Sequence, residues 1–387
     1  MRFSLFHFIM AAWVLWRFVL PLDVPRNVKR ALAALTLFCA FFSTFSTLFG
    51  GGLVSPELPR WLLIAGNYGE GVLLFLCALT LLREAVIFFS VLAGRSGEKV
   101  HDAVQKSRRT AIGMGLASAA LALYGENRGI EVPEVRRHVI PVKDLPEALE
   151  GFEIVQLSDT HCSAMMYEPW TRAMVERINA LNPELVVITG DFVDGMVERR
   201  ERDVAPFAEL RARSGVWGCE GNHEHYGDYD AWIAKLKSLG IRLLQNEHAV
   251  VDVRGKGGAP AQIVLGGVRD PMAQRFGRIL PDARATFEGA PAADEVPRIL
   301  LAHQPGYFKQ YLAETDFALQ LSGHTHGGQI LGMDLLVGLM NRTYVRGLYE
   351  GPRGARLYVH PGSGLWNGFP MRVGVPSEIA LLELRRA

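Results

Sequence analysis

From residue 31 to residue 54 the chain reads ALAALTLFCAFFSTFSTLFGGGLV, without one charged side chain. A bilayer core of roughly 30 Å is crossed by about 20 apolar residues in a helix, so this segment is expected to span a membrane. Residues 61–82 carry one formal charge, Glu70, and residues 3–22 carry only Arg17 together with His7. Both are also long enough. Residues 110–125 (TAIGMGLASAALALYG) are uncharged but short and rich in small side chains. They read as a fourth span or, alternatively, as a buried helix of a soluble unit. An ionisable group inside a span is a functional candidate by default; Glu70, flanked by Gly69 and Gly71, reads equally as a packed carboxylate.

The loops between these segments differ in charge. Arg26, Lys29 and Arg30 follow the first span, only Glu57 and Arg60 follow the second, and Arg83, Arg95, Lys99, Lys106, Arg108 and Arg109 follow the third. Lysine and arginine in short loops mark the cytoplasmic side. The first and third loops are then inside, and everything after about residue 126 is outside. Ser107-Arg108-Arg109 before an apolar run also resembles a twin-arginine export signal, with Ala111 where that signal usually has Phe. Ala120-Leu121-Ala122 fits a small-x-small cleavage site. Both readings deliver the rest of the chain to the same side.

From about residue 150 the pattern changes to short β-rich runs alternating with helical segments. Ile154–Leu157, Leu185–Thr189, Val216–Cys219, Ile263–Gly266, Ile299–Ala302, Ala318–Leu321, Leu357–Val359 and Ile379–Leu384 read as strands. Continuous apolar runs among them suggest burial on both faces, as in a layered α/β fold. Residues 126–150 hold Pro133, Pro141 and Pro146 among charges and read as a linker or an edge extension. Lys+Arg and Asp+Glu balance at 41 and 40, which gives no electrostatic reason for a nucleic-acid partner. Four cysteines do not make a disulfide framework.

Nearly every strand run ends in a polar cluster: Ser158-Asp159-Thr160-His161, Gly190-Asp191-Phe192-Val193-Asp194, Gly221-Asn222-His223-Glu224, His303-Gln304-Pro305 and Gly323-His324-Thr325-His326. Sites in α/β sheets form beyond the carboxyl ends of the strands, so clusters this far apart in sequence can converge. Asp, His and Asn, with no required thiolate, suit divalent Mn, Fe or Zn. Asp-x-His and His-x-His set two ligand atoms on one side of a strand-like stretch.

These residues resemble the motif series of the calcineurin-like metallophosphoesterases: D-x-H, G-D, G-N-H-[DE], H, and G-H-x-H, all present in order over about residues 150–387. LSGHTHGGQI (321–330) and GNHEHYG (221–227) are similar to a bacterial membrane-anchored branch. The apolar segments predict three to four transmembrane helices (1–125), and the resemblance implies that an α/β four-layer domain (151–387) follows, a β-sandwich flanked by helices. It implies two divalent metal ions, Mn first and Fe or Zn next. Asp159, His161 and His326 would bind one, Asn222, His303 and His324 the other, and Asp191 both. His223 would contact the phosphate and protonate the leaving oxygen. The expected activity is hydrolysis of a phosphodiester or phosphomonoester by a metal-bound hydroxide, on a lipid or cell-envelope substrate, at the bacterial plasma membrane. The rival readings are a cytoplasmic-facing pyrophosphohydrolase of a nucleotide-linked lipid precursor and a non-catalytic metal-binding sensor.

Other residues carry weaker signals. Glu224 and Asp194 read as supporting the ligands or as ordinary hydrogen-bonding groups. His225 reads as a substrate contact or a solvated loop residue, Cys162 as a redox-sensitive thiol or a small core residue, and Arg372 as an anion binder or a surface ion pair. The apolar stretches Ile330–Met340 and Gly364–Met371, with Trp366 and Phe369, read as core or as a lip that dips into lipid.

Overall fold

The computed structural model describes residues 2–49, 56–94, 108–366 and 370–387. Much of the third loop and Phe369 lie outside the described residues. The chain divides into two units, Met1–Arg128 and Gly129–Ala387.

The first unit is helical. Its helices are α1 (Arg2–Val14, extended by a π-type turn over Leu15–Val19), α2 (Arg26–Phe49), α3 (Arg60–Leu92) and α4 (Arg108–Ile130). Pro25 and Pro59 stand just before α2 and α3, where a missing N–H leaves no bond unmade. Met10, Val14, Phe18, Ala40, Leu73 and Leu76 bury into one cluster. Gly66 lets α3 approach Phe42, and Gly69 faces Cys39. Glu70 is buried, with its Oε2 3.6 Å from Nε2 of His7. Among the described residues two helices, α2 and α3, are long and apolar enough to cross a membrane, by length and composition; the apolar run of α1, Leu5–Val19, is shorter.

The second unit is a sandwich of two six-stranded sheets. The strands are β1 (Glu134–Val142), β2 (Glu153–Leu157), β3 (Leu185–Thr189), β4 (Val216–Cys219), β5 (Arg242–Leu243), β6 (Glu247–Arg254), β7 (Pro260–Gly267), β8 (Arg298–Leu301), β9 (Leu319–Ser322), β10 (Gly347–Glu350), β11 (Arg356–Val359) and β12 (Glu378–Arg386). One sheet runs β1-β12-β2-β3-β4-β5 and the other β10-β11-β9-β8-β7-β6. Strands β2 to β5 are mutually parallel, as are β7, β8, β9 and β11. Their carboxyl ends therefore lie along one edge of each sheet.

Alternation builds the layers. Ile299 and Leu301 of β8 point into the core between the sheets with Ile154, Leu185, Val187, Leu319 and Leu321, while Leu300 and Ala302 face the other way onto Phe308, Tyr311 and Leu312 of the helix Phe308–Glu314. This is the period of two expected of a strand buried on both faces. Each fully buried Leu or Ile contributes about 1.5–3 kcal/mol. Residues 134–142, inside the stretch read as linker or edge extension, pair in parallel with β12 from Glu134↔Glu378 to Val142↔Arg386. Pro141, which has no N–H to give, is tolerated because β1 is the edge strand.

Candidate metal centre

The expected site residues all sit just past strand ends. Asp159 and His161 follow β2, Asp191 follows β3, Asn222 and His223 follow β4, His303 follows β8, and His324 and His326 follow β9. Their backbone is not the strand-like stretch that the two-residue spacing suggested. Asp159 (φ 53°), His161 (φ 43°), Asp191 (φ 53°), His324 (φ 72°) and His326 (φ 49°) all occupy the left-handed region. Each such residue without a glycine costs on the order of 1 kcal/mol or more. Two left-handed residues flanking one ordinary residue still bring both side chains to one side. The surrounding structure holds them there: Thr160 Oγ1 donates to Phe192 O at 2.9 Å, and His161 N donates to Asp191 O at 3.1 Å.

The side chains gather into two adjoining groups. Asp159, His161 and His326 offer ligand atoms within 4.8 Å of one another, and so do Asp191, His303 and His324. His161 Nε2 lies 2.9 Å from His326 Nε2, and His326 Nε2 lies 3.4 Å from Asp159 Oδ1. In the second group His303 Nε2 lies 3.0 Å from Asp191 Oδ2. Asn222 Oδ1 lies 3.1 Å from His303 Nε2 and 2.8 Å from His324 Nδ1. Asp191 Oδ2 is also 3.7 Å from His161 Nε2, so one carboxylate faces both groups.

This geometry fits metal ligation. Nitrogen and oxygen ligands about 2.0–2.2 Å from a divalent ion stand about 3 Å apart when they are neighbours in its shell. Facing imidazole nitrogens at 2.9 Å match that spacing. The far nitrogens are already committed: His303 Nδ1 lies 2.7 Å from the carbonyl of Thr189, and His161 Nδ1 lies 3.0 Å from Asp194 Oδ1. Donation through Nδ1 leaves Nε2 as the lone-pair side, the usual arrangement for a metal-ligating histidine.

His223 packs edge-on against His161, their ring centroids 4.5 Å apart, and faces the shared Asp191. Its Nδ1 is 2.5 Å from Asp194 Oδ1, and its Nε2 is 3.9 Å from Asp191 Oδ2. Burial opposes its charge, yet the carboxylates of Asp191 and Asp194 push its pKa up to about 9. Burial likewise opposes ionisation of Asp194, and His161 and His223 hold it down at about 2.

Glycines make the convergence possible at two points. A Cβ on Gly323 would lie 1.8 Å from Ser158 Oγ and 2.2 Å from Asp159 Oδ2, and one on Gly221 would lie 2.3 Å from Asp191 Oδ1. The fully buried Glu224 fastens the same loops, accepting from Gly221 N at 2.7 Å, Phe192 N at 2.8 Å and Asp191 N at 3.1 Å.

The weaker signals resolve as follows. His225 is neither solvated nor open to substrate: it is buried, 3.2 Å from Glu220 Oε1, and stacked on Tyr229 at 4.7 Å. Cys162 is a buried core residue beside Thr171, its thiol pushed up to about 12 by burial, and it offers no thiolate ligand. Arg372 makes no surface ion pair. It lies buried behind His326, donating to Gly364 O at 2.7 Å and approaching His326 Nδ1 at 3.4 Å. Burial lowers its pKa to about 10, so it keeps its charge at neutral pH. Trp366 packs edge-on against His223 at 6.4 Å.

Tyr226 carries no sequence signal of its own beyond its position four residues after Asn222 in a tight turn. It accepts from Asn222 Nδ2 at 3.2 Å, which turns Asn222 Oδ1 toward the histidines, and its ring lies 5.0 Å from His223.

Comparison with known proteins gives the family. Residues 152–328 match the calcineurin-like phosphoesterase family. The chain is 33% identical over 369 residues to a "Transmembrane protein with metallophosphoesterase domain" of Danio rerio, covering 94% of this chain and 82% of that protein. It is 32% identical over 282 residues to a metallophosphoesterase of Helicobacter pylori, covering 72% of each. Among solved structures, that of a 5′-nucleotidase precursor from Thermus thermophilus overlaps 60% of this chain and 54% of that chain, at 16% identity and a TM-score of 0.36. The chain belongs to the calcineurin-like metallophosphoesterases and is a hydrolase of phosphoric ester bonds.

Proposed function

We propose that this protein is a membrane-anchored phosphoesterase that uses two divalent metals and acts on a phosphate ester of a lipid or cell-envelope component. The observation that carries the reading is the shared carboxylate of Asp191, set between the His161 side and the His303 side with His223 facing it. Asp159, His161 and His326 would hold one ion, Asn222, His303 and His324 the other, and Asp191, which faces both groups, would serve both. Bound there, divalent ions (Mn first, Fe or Zn next) would supply positive charge for the phosphoryl oxygens and lower the pKa of water. His223 presents Nε2 to the leaving oxygen and gives up its proton there, while Asp194 holds Nδ1 and thereby aims the ring.

The anchoring reading is supported by outward-facing apolar side chains on the long helices. Leu37 and Phe38 on α2 and Leu82, Phe88 and Phe89 on α3 are all exposed. A soluble bundle does not present such a surface to water. The printed name of the Danio rerio relative is consistent with it. Three to four crossings are read from the apolar segments, and a domain after residue 126 outside the cytoplasm from the loop charges.

Two experiments test this. The purified full chain with Mn should hydrolyse p-nitrophenyl phosphate or bis(p-nitrophenyl) phosphate, and Asp191→Ala should abolish it; an unchanged rate in the variant would sink the metal reading. Alkaline phosphatase and fluorescent-protein fusions after Arg109, after Arg128 and at Ala387 fix the orientation. Phosphatase activity only at the latter two supports an outside domain. A fluorescent, phosphatase-inactive fusion at Ala387 would overturn it and turn the search to pyrophosphate bonds of nucleotide-linked lipid precursors.

A further inference from the structure

Directly after the His326–Gly328 turn the chain forms a short helix, Asp334–Met340, whose apolar side chains point outward. Leu331 is 67% exposed, Leu335 75%, Leu336 55%, Leu339 81% and Met340 84%. Ile330 tucks inward, but these five do not. Five large apolar side chains within ten positions form a patch that a soluble surface normally avoids.

The patch is built rigidly onto the candidate centre. Arg346 donates to Gly327 O at 2.6 Å and pairs with Asp334 at 3.2 Å, so one guanidinium joins the His326 turn to the first residue of the helix. A Cβ on Gly328 would meet Asp334 Cα at 2.8 Å, which shows how closely the two segments pack. The end of the patch is basic. Arg342 lies over the ring of Tyr307 at 5.8 Å. Tyr307 in turn lines a shallow groove of about 270 Å³ with Met272, Arg275 and Gln304, and Gln304 is the neighbour of His303. The exposed features are therefore an apolar lip, Arg342 against Tyr307, and a groove lined by Arg275 and by Gln304, the chain neighbour of His303.

We propose that Leu331–Met340 is a bilayer-docking lip that seats the mouth of the active site in the headgroup layer. A membrane surface supplies what each of these features needs. Its acyl region accepts the leucines, and its phosphates face Arg342 and Arg275. The inference rests on the membrane-anchored reading. In that reading α4 ends at Ile130 and β1 starts at Glu134, so only a few residues separate the domain from its apolar helix.

The test uses the full chain in vesicles of phosphatidylethanolamine and phosphatidylglycerol, with the half-buried Cys39 replaced by Ser. A nitroxide is placed in turn by Leu336→Cys, Leu339→Cys, Phe38→Cys on α2 and Val250→Cys on β6, and its collisions with oxygen and with a water-soluble nickel chelate are measured. The lip positions should match Phe38, with oxygen access several-fold above that at Val250 and nickel access several-fold below. Nickel access at Leu339 equal to that at Val250, while Phe38 stays in lipid, would overturn the lip and leave the anchor standing. Nickel access at Phe38 as well would sink the membrane reading and the lip with it. Exclusion of both reagents at Leu339 would mean that protein covers the patch, and would also overturn the proposal.

Discussion

Asp194 Oδ1 lies 2.5 Å from Nδ1 of His223 and 3.0 Å from Nδ1 of His161, so one buried carboxylate orients two imidazoles with different tasks. In the proposed mechanism one ring presents Nε2 to the metal group and the other to the leaving oxygen. Replacing Asp194 by Asn keeps the size but removes the charge and one acceptor. Loss of such an outer partner costs about 10–100-fold in activity. If His223 protonates the leaving group, the loss should be uneven: small for a nitrophenyl ester, whose anion departs unaided, and large for an alkyl ester. Steady-state rates on both esters decide it, and equal losses would reduce Asp194 to a structural role.

Glu224 has a different part, since it touches only backbone. Its three amide partners belong to the Gly190–Phe192 and Gly221 loops. Glu224→Ala would strand three buried N–H groups at about 1 kcal/mol or more each. For a domain of this size a loss of about 3 kcal/mol lowers Tm by roughly 6–12 °C. Glu224→Gln keeps one acceptor oxygen and should fall between. Calorimetry of the three proteins checks the order, and a Glu224→Ala midpoint equal to wild type would refute it.

Removal of metal should be visible without any substrate. Asp159 and Asp191 are almost wholly buried and face one another across histidines. A chelator would leave those carboxylates with only imidazole to balance them, and a ligand that binds the native state alone stabilises it by mass action. Tm should drop on chelation and return with Mn, in step with hydrolysis. Asp191→Ala should start low and gain little from Mn. Identical midpoints with and without chelator would argue against the centre.

The strands that place the site were readable because β2, β3, β4, β8 and β9 are short runs of Val, Ile and Leu ending in polar residues. β1 and β6 were harder. EVRRHVIPV carries two arginines and a proline, and EHAVVDVR alternates only weakly, because both lie at sheet edges where one side meets water. The helix before β4 runs over Val197–Val204 and tightens into a 3-10 turn over Ala205–Glu209. VERRERDV has too few apolar residues for a period to appear. At the site, the residue types and their order were legible, but the left-handed backbone at Asp159, His161 and Asp191 was not. Asp and His enter that region more readily than most residues, but the preference is too weak to read from sequence; contacts from distant loops impose it. For the same reason the three backbone bonds that Glu224 accepts appear only once β3 and β4 lie side by side.

A last prediction concerns acid. Tyr358 of β11 donates to Glu378 Oε1 at 2.6 Å across the sandwich, and His138 of edge strand β1 lies 2.9 Å from the same oxygen. Burial opposes ionisation of Glu378, but the bonds from His138 and Tyr358 and the nearby His360 hold its pKa below the usual carboxylate value. A depressed folded pKa means that the unfolded chain binds the proton first as pH falls. The stabilisation is therefore fully present above the ordinary glutamate pKa, near 4.3, and is lost as pH drops through the lower folded value. Hydrogen bonds to a charged group are worth about 1.5–3 kcal/mol. Glu378→Gln should then lower stability by about that much at pH 7 and by progressively less below pH 4, where the wild-type carboxylate is itself protonated. Denaturant unfolding at pH 7, 5 and 3.5 measures the gap. A gap that stays constant, or widens in acid, would show that the charge of Glu378 does not tie β1 and β11 to β12.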